Sequence, residues 1–571
     1  MENQGNGRVI LAVALAFVVL FGWSYLFPSN KTKPKPPASD AVSATSEDPA
    51  QTLPPEEEFA LSGDGFRAVL SSHGGRIKSW KILDPQYNNA QGEPYDLVSP
   101  VPAGVRAPWP GEISFSDPPV SIPRTMIFQK ASEDGDPAGS LRLRWAGEGL
   151  QVDKLFTVQG GDVTLQVITR NLGDKDLRLK LSVAVDGYQD PNKMEGSGFF
   201  IFKAPPDLAN PTCYANETNN HIIFAKEDKS ESFSGEVSWF GVNRTYFLKA
   251  FYPLEALPEG EAALCAVSTS SNGAERALLT LPGMKVPKGG ETKRSFGVFF
   301  GPKKLESLEA HGSQLENSID YGWLGFLSRP MLVVLKWAHG AVGNWGLAVV
   351  LLTLLVRALM FYPSQRSFKS MQGMAALKPQ LDELKAKYGD DQQGYAQAQM
   401  ALMRSSGVSP LGGCLPLLLQ MPFFFALYRM IYQAVELYQA DMGLWIHDLS
   451  IADPYFILPI FLGGVMVLQQ RLTPNTMDAA QARIMQWMLP IMMFLFMAFL
   501  PAALVIYTLT STVFGFLQQY LIKRMNPTPA TAGAAVGKSS NEAMSKALAK
   551  KREDRQNQNQ PRPQGGKRDK R

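Results

Sequence analysis

The amino-acid sequence predicts a polytopic α-helical membrane protein of six spans, with one large all-β domain between the first span and the other five. Three observations lead there. Six apolar runs, at 9–27, 342–363, 411–437, 454–470, 484–500 and 501–522, each approach the roughly 20 residues that a helix needs to cross about 30 Å of hydrocarbon. Between 59 and 301 the pattern changes to short alternating runs broken by Gly, Asp, Asn and Pro, as in strands with one buried face. Lysine and arginine crowd some of the short loops between the apolar runs and are missing from others, which orients a membrane protein.

The totals bound little else. At 571 residues the chain exceeds one ordinary domain, and its 45% hydrophobic content, 19% charge and net charge of +4 average over unlike parts. Cys213, Cys265 and Cys414 form no CxxC pair and stand near no histidine cluster, so no zinc site, redox motif, metal or cofactor is expected. Cys213 and Cys265 share one soluble stretch. Their spacing alone does not decide whether they pair, and a bond between them is not expected.

Residues 1–27 contain the first run, which ends in aromatics and then Pro28, where a cleaved signal would have a shorter core and small residues. An uncleaved anchor is expected. Residues 28–58 are rich in Pro, Ser and charge, cannot bury a core and read as a tether. In the β region, 59–301, the clearest stretch is "VTLQVITRNLGDKDLRLKLSVAV". Val163, Leu165 and Val167 alternate with polar residues, "NLGDKD" turns, and Leu177, Leu179, Leu181, Val183 and Val185 alternate again, which predicts a hairpin. Runs such as "SLRLRW" and "RALLTLP" repeat the pattern, so an antiparallel β-sandwich is expected.

Residues 302–341 read as a polar helical connector followed by an amphipathic helix. Leu324, Leu327, Met331, Val334, Leu335 and Ala338 form its stripe, with Trp323, Trp337 and Trp345 at its margins, as suits the membrane interface. The span at 342–363 follows. Residues 364–410 carry Arg366, Lys369, Lys378, Lys385, Lys387 and Arg404, while "QADMGLWIHDLSIAD" carries no lysine or arginine, so the first segment is placed inside and the second outside. Both termini are then cytoplasmic and the β-domain is external. Four spans at 411–523 complete the membrane part, the last two joined by little more than Pro501, and the tail at 524–571 is basic and disordered.

The cytoplasmic segment places Phe368, Met371, Met374, Leu377, Leu381 and Leu384 on one helical stripe, and "YGDDQQ" breaks it before a second helix with Met400 and Met403. A helical hairpin is predicted, and two readings of its apolar faces stand: the stripes pack on each other, or Met371, Met374, Met400 and Met403 form an adaptable surface for varied apolar partners. In the tail, "AGAAVGKSS" imitates the end of a phosphate-binding loop, but Ala532 occupies the first glycine position and no strand precedes it. No other nucleotide motif is present, so no hydrolysis is expected to drive work and the protein is not expected to be an enzyme.

Arg357 is the misfit in "AVVLLTLLVRALMFYP". At a helix centre an arginine costs about 2.5–3.5 kcal/mol on insertion scales. It lies near the cytoplasmic end at Pro363, so snorkelling to the head groups is one reading. Its company supports another. Thr353 is one turn away on the same face, the third run offers Gln420, and the last run carries Tyr507, Thr508, Ser511, Thr512, Gly515, Gln518 and Gln519 at spacings of three and four. None of these neutralises a guanidinium, and no acid lies near its depth, Glu436 being close to the external end. An unpaired charge in a dry core is very costly, so Arg357 is expected to face a wet cavity open to the cytoplasm, with Thr353, Gln420, Tyr507, Thr508, Ser511 and Thr512 around it.

Several long stretches resemble one family: "DYGWL" at 320–324, "VGNWG" at 342–346, "VRALMFYP" at 356–363, "SPLGGCLPLLLQMPFFFALY" at 409–428, "LWIHDLS" at 444–450 and "DPYFILPI" at 453–460. They closely resemble the YidC/Oxa/Alb family of membrane protein insertases in its Gram-negative form, over essentially the whole chain. The chain departs from it at Thr508, where the family often has a second tyrosine after Tyr507. The resemblance implies a five-helix insertase core enclosing a hydrophilic groove open to the cytoplasm and to lipid. It also implies a periplasmic super-sandwich domain similar to galactose-mutarotase folds, and residence in the bacterial inner membrane.

The implied function is insertion of nascent membrane proteins from the cytoplasm into the bilayer, alone or with the SecYEG translocon, and help in their folding. SecD and SecF are implied partners of the β-domain. The basic tail has two readings, a solvated tail or an attachment to ribosomal RNA by phosphate attraction. No small-molecule substrate is expected. The alternative, a secondary transporter, needs coupling residues at mid-membrane, and the missing buried carboxylates count against it. A sugar-active exoenzyme would have only His73 and His221 in the β region for acid–base work.

Overall fold

The computed structural model describes residues 53–525 apart from 90, 99–108, 117–121, 124, 192–197, 200–201, 204–207, 223–227, 259, 390, 407–414 and 473–478. The predicted anchor, nearly all of the tether, Cys414 and the tail beyond Met525 lie outside the described residues. Two compact units are present: one holds the described residues up to Gly325 together with Arg429–Ile451, the other holds Phe326–Tyr428 and the described residues from Ala452 onward.

The first unit is all-β at its centre, and every strand pair in it is antiparallel. A three-stranded sheet holds β1 (Glu58–Gly63), β2 (Phe66–Ser71) and β3 (Ile77–Ile82). One large sheet runs in the order β13-β12-β15-β16-β20-β8-β7-β6-β5. Its members are β5 (Gln129–Ala131), β6 (Leu141–Gly147), β7 (Leu150–Gln159), β8 (Asp162–Asn171), β12 (Asn210–Ala215), β13 (Thr218–His221), β15 (Val237–Asn243), β16 (Phe247–Pro253) and β20 (Glu291–Pro302). The other runs β14-β17-β18-β9-β19 with β4 also on β9. It contains β4 (Glu112–Ser116), β9 (Leu177–Tyr188), β14 (Lys229–Gly235), β17 (Ala263–Thr269), β18 (Ala274–Thr280) and β19 (Met284–Val286). A short ribbon, β10 (Gly198–Phe199) with β11 (Phe202–Lys203), stands apart. The alternating residues of both large sheets meet in one core, with Leu165, Val167, Leu179, Val183, Phe240, Val267 and Leu279 all buried. The expected sandwich is present.

The predicted hairpin is not. Both strands form where the period of two places them, but β8 pairs with β7 and β20, whereas β9 pairs with β18, β19 and β4. "NLGDKD" therefore carries the chain from one sheet to the other. Alternation reports which face a strand buries, and two sheets facing one core bury the same kind of face, so the pattern cannot distinguish a hairpin from a crossing. The hairpin lies one strand earlier, where Gly160 and Gly161 connect β7 to β8 and Gly160 takes the positive φ (+62°) of a tight turn.

A second correction concerns the cysteines. Cys213 on β12 and Cys265 on β17 form a disulfide, with Cα atoms 6.2 Å apart, and so bond the two large sheets across the core. A separation of 52 residues gave no sign of this, because the bond depends on which strands face each other.

The first unit also takes in part of the predicted third span. The helix α7 (Leu415–Gln433) stops short of residue 437, and Arg429–Ile451 joins the β-unit. Val435 is fully buried in the β core, Tyr438 lies 4.7 Å from Tyr246 ring to ring, and the Gln86 amide donates to the carbonyls of Glu436 and Tyr438 at 3.2 and 2.9 Å. A helix α1 (Leu305–His311) occupies the connector.

Two neighbouring buried charges on β7 have partners in reach. Asp153, fully buried on β7, accepts from Arg142 and Arg144, and Glu133 accepts from Arg144 and Arg170. The ammonium of Lys154 points the other way and donates to the carbonyls of Gly74, Gly75 and Gly111 at 2.6, 3.0 and 2.6 Å.

The second unit is helical. The amphipathic helix α2 (Gly325–Val342) buries Met331, Leu332, Leu335 and Ala338 and leaves Phe326, Val333 and Trp337 exposed. Gly343, at φ +68°, ends it, and the Asn344 side chain caps α3 (Trp345–Leu359) by accepting from Leu347 N–H. The predicted span ran to Pro363, but α3 ends at Leu359 and α4 (Phe361–Ala376) begins at once. Pro363 has no N–H for the Leu359 carbonyl. Pro379 marks a second break, dividing the predicted stripe between α4 and α5 (Lys378–Tyr388), with α6 (Gln392–Ser405) after it. The remaining helices are α8 (Ile457–Leu472), α9 (Ala479–Met497) and α10 (Ala502–Met525). Among the described residues, Ala502–Ile522 alone is long and apolar enough to cross a membrane by itself, and α3 passes only together with α4. Shorter apolar stretches run Ile457–Arg471 and Gln486–Met497.

Candidate functional site

The site is built where α3, α7 and α10 meet. α10 packs against α3 and α8, which brings the polar stripe of the last apolar run to Arg357. Arg357 Nε donates to Ser511 Oγ at 2.7 Å, and Gln420 Nε2 donates to the same oxygen at 3.0 Å. A small cavity opens beside them, lined by Val356, Arg357, Met360, Ser364, Leu419, Gln420, Phe423 and Tyr507. Its present size suits a water-sized group, so a peptide segment enters only if helices separate. Among the described residues no carboxylate pairs with Arg357. Its guanidinium donates to the neutral Ser511 hydroxyl, which orients it without cancelling its charge.

The structure sorts the expected site residues. Arg357, Gln420, Tyr507 and Ser511 come together; Tyr507 is 2% exposed, and its hydroxyl hydrogen-bonds with Gln420. Thr353 is fully buried, and its hydroxyl donates to the Val349 carbonyl within its own helix. Thr508 and Thr512 do likewise, donating to Leu504 and Thr508 at 2.9 and 2.7 Å. Their hydroxyls are used on the backbone, a common fate for a helical threonine.

Sequence reasoning missed Met360, Ser364 and Phe423 in the cavity wall. A signal was available for Phe423, which follows Gln420 by three on α7, whereas Ser364 reaches the cavity from α4, across the break after Leu359. Gly515, also on α10, faces Gln469 and Arg357. A Cβ there would lie 3.4 Å from Gln469 Nε2 and 4.0 Å from Arg357 Nη2, ordinary van der Waals contact.

In the predicted helical hairpin α5 and α6 pack through Leu381, Leu384, Ala398 and Leu402. Met403 is buried at 7% exposure, Met400 is exposed at 46%, and Met371 and Met374 are half-buried on α4. Leucines seal the hairpin, as the packing reading expects; Met400, Met371 and Met374 keep exposed surface, whereas Met403 does not. In the β-domain, His73 contacts the Pro54 carbonyl at 2.9 Å and His221 is exposed on β13.

Comparison with known proteins covers both units. The family model described as YidC periplasmic domain matches residues 58–334, and the one described as 60Kd inner membrane protein matches 337–529. The membrane protein insertase YidC of Anaeromyxobacter dehalogenans strain 2CP-C is 34% identical over 564 residues, covering 92% of this chain and 99% of that protein. That of Syntrophus aciditrophicus is 32% identical, covering 87% and 92%. A solved YidC insertase with its first transmembrane domain resolved aligns at 18% identity over 82% of this chain and 93% of its own, with a TM-score of 0.36. The β-unit is thus the periplasmic domain of an inner-membrane protein, and the chain belongs to the YidC family of membrane protein insertases.

Proposed function

We propose that Arg357 is the charge that receives substrate, in a path running from the cytoplasmic hairpin past the cavity into lipid. The single observation that supports this most is a guanidinium in an apolar helix, held by Ser511 and facing a cavity shared with Gln420 and Tyr507. A short polar segment of a nascent protein, often acidic, is attracted to it as the helices part and water enters. The adjoining apolar helix then moves sideways into the bilayer, driven by burial at about 25 cal/mol per Å² of apolar surface. The membrane potential acts on negative residues in the same direction. Met371, Met374 and Met400 meet the apolar part of the substrate first, and Thr353, Thr508 and Thr512 line the route once it widens.

In this reading six spans place both termini in the cytoplasm. SecYEG shares the larger substrates, SecDF contacts the periplasmic domain, and the basic tail holds the ribosome. The experiment is photo-crosslinking of a stalled nascent chain from probes at Thr353, Met374 and Tyr507. Crosslinks in the order Met374, then Tyr507 and Thr353 as the chain lengthens are expected. Crosslinks from none of the three would overturn the path. For the tail, ribosome co-sedimentation unchanged after deletion of 526–571 would argue against tethering.

A further inference from the structure

Cys213 and Cys265 sit on interior strands of two different sheets. β12 is flanked by β13 and β15, and β17 by β14 and β18, so neither sulfur is reached along a sheet edge. Both cysteines are 0% exposed. Cys213 lies opposite Phe240 in the register and Cys265 lies between Phe233 and Leu279, and Phe240 and Leu279 are themselves fully buried. Thiol–disulfide exchange needs a thiolate to approach a sulfur directly, and nothing larger than water approaches these once the sheets have closed.

We propose that this pair is a modification site of an exported domain, oxidised by a dithiol–disulfide exchange protein on the periplasmic side before the two sheets pack. One cysteine thiolate attacks a sulfur of the oxidant's disulfide, forming a mixed disulfide and releasing one oxidant thiolate. The other cysteine thiolate attacks the protein-side sulfur of that mixed disulfide and releases the second. The pair gives up two electrons and two protons, and the oxidant's disulfide becomes a dithiol. The chain has three cysteines, and Cys414 lies in the sequence far from the β-domain, so only one intradomain pairing exists and no isomerisation step is required. Sheet closure then shields the bond, which is formed early and afterwards inert.

The test uses the full chain with Cys414→Ala, so that only the pair reports. Purified in detergent, it is expected to resist alkylation by a maleimide-polyethylene glycol reagent after 10-minute-scale incubation with millimolar dithiothreitol, and to take two labels when the same reductant is added in denaturant. In a Gram-negative host lacking its periplasmic dithiol oxidant, freshly made chains are expected to carry two free thiols. The double variant Cys213→Ala/Cys265→Ala is expected to melt roughly 5–15 °C lower. Two labels on the native protein without reductant, or reduction as fast as for an exposed disulfide, would overturn the proposal. So would unchanged oxidation in the oxidant-deficient host. The alkylation arms need no variant of the pair, so they decide the matter even if the double variant does not fold.

Discussion

One hydroxyl gathers the site: Ser511 Oγ on α10 accepts from Arg357 Nε of α3 at 2.7 Å and from Gln420 Nε2 of α7 at 3.0 Å. Hydrogen bonds to a charged group contribute about 1.5–3 kcal/mol each. Ser511→Ala removes the shared acceptor and frees the guanidinium to swing. Insertion of substrates with acidic external segments into proteoliposomes should slow roughly 10-fold, read by protease protection. Arg357→Ala should slow it at least as much while leaving the protein folded, and Arg357→Lys, which keeps the charge but lacks the Nε–H, should fall between them. Wild-type rates for Arg357→Ala and Arg357→Lys would remove Arg357 from the mechanism.

Acid should loosen the periplasmic domain through Glu133. Hydrogen bonds from Arg170 and then Arg144 hold its carboxyl at about 2, well below the usual 4.5. A carboxylate depressed in the fold adds stability that is fully present above pH 4.5 and is lost as pH falls toward 2. The contribution is on the order of 1–3 kcal/mol after solvent screening. Glu133→Gln should lower the melting temperature at pH 7 and flatten its fall below pH 4.5, measured by scanning calorimetry of the full chain. An equally steep fall would assign the acid transition to other carboxylates.

Gly241 should tolerate no side chain. A Cβ there would meet the Lys249 carbonyl oxygen at 1.9 Å and the Ala250 Cα at 2.7 Å, both backbone atoms of the paired strand β16. Gly241→Ala forces β15 and β16 apart and should cost at least about 3 kcal/mol. At Gly301 the nearest atom, on the Phe299 ring, is 3.6 Å away, so Gly301→Ala is the mild control. Denaturant midpoints that agree for the two variants would contradict this.

Tyr438 should stabilise a domain that lies far from it in sequence. Its ring packs on Tyr246 and Phe247, at 4.7 and 5.6 Å between centroids. Tyr438→Ala should destabilise the periplasmic domain by about 1–3 kcal/mol. Tryptophan fluorescence during urea unfolding checks it, and an unchanged midpoint would mean the loop adds nothing to the β core.

Legibility differed from residue to residue. Arg357, Gln420, Tyr507 and Ser511 were found from residue type and helical spacing, because a charge among apolar residues is conspicuous and its polar company repeats every three or four positions. Thr353, Thr508 and Thr512 shared that spacing, yet their hydroxyls turn to their own helix, which depends on side-chain rotamer and not on position. Met360 and Phe423 were passed over because apolar residues in an apolar helix carry no contrast. The break at Pro379 was visible in the sequence, but the regular stripe from Phe368 to Leu384 outweighed it.

The sequence by itself determined the division into an all-β periplasmic domain and an apolar helical part, the strands at 162–171 and 177–188, and the arginine that needs polar company. These are local properties, since burial of a face repeats with the period of the element that carries it. The tertiary structure alone decided that those two strands part into different sheets, that Cys213 meets Cys265, and that Val435 and Tyr438 leave the helical run to complete the β core. It also chose Ser511 among its polar neighbours. Each of these is a choice of partner, and partners are selected by the packing of surfaces brought together from distant parts of the chain.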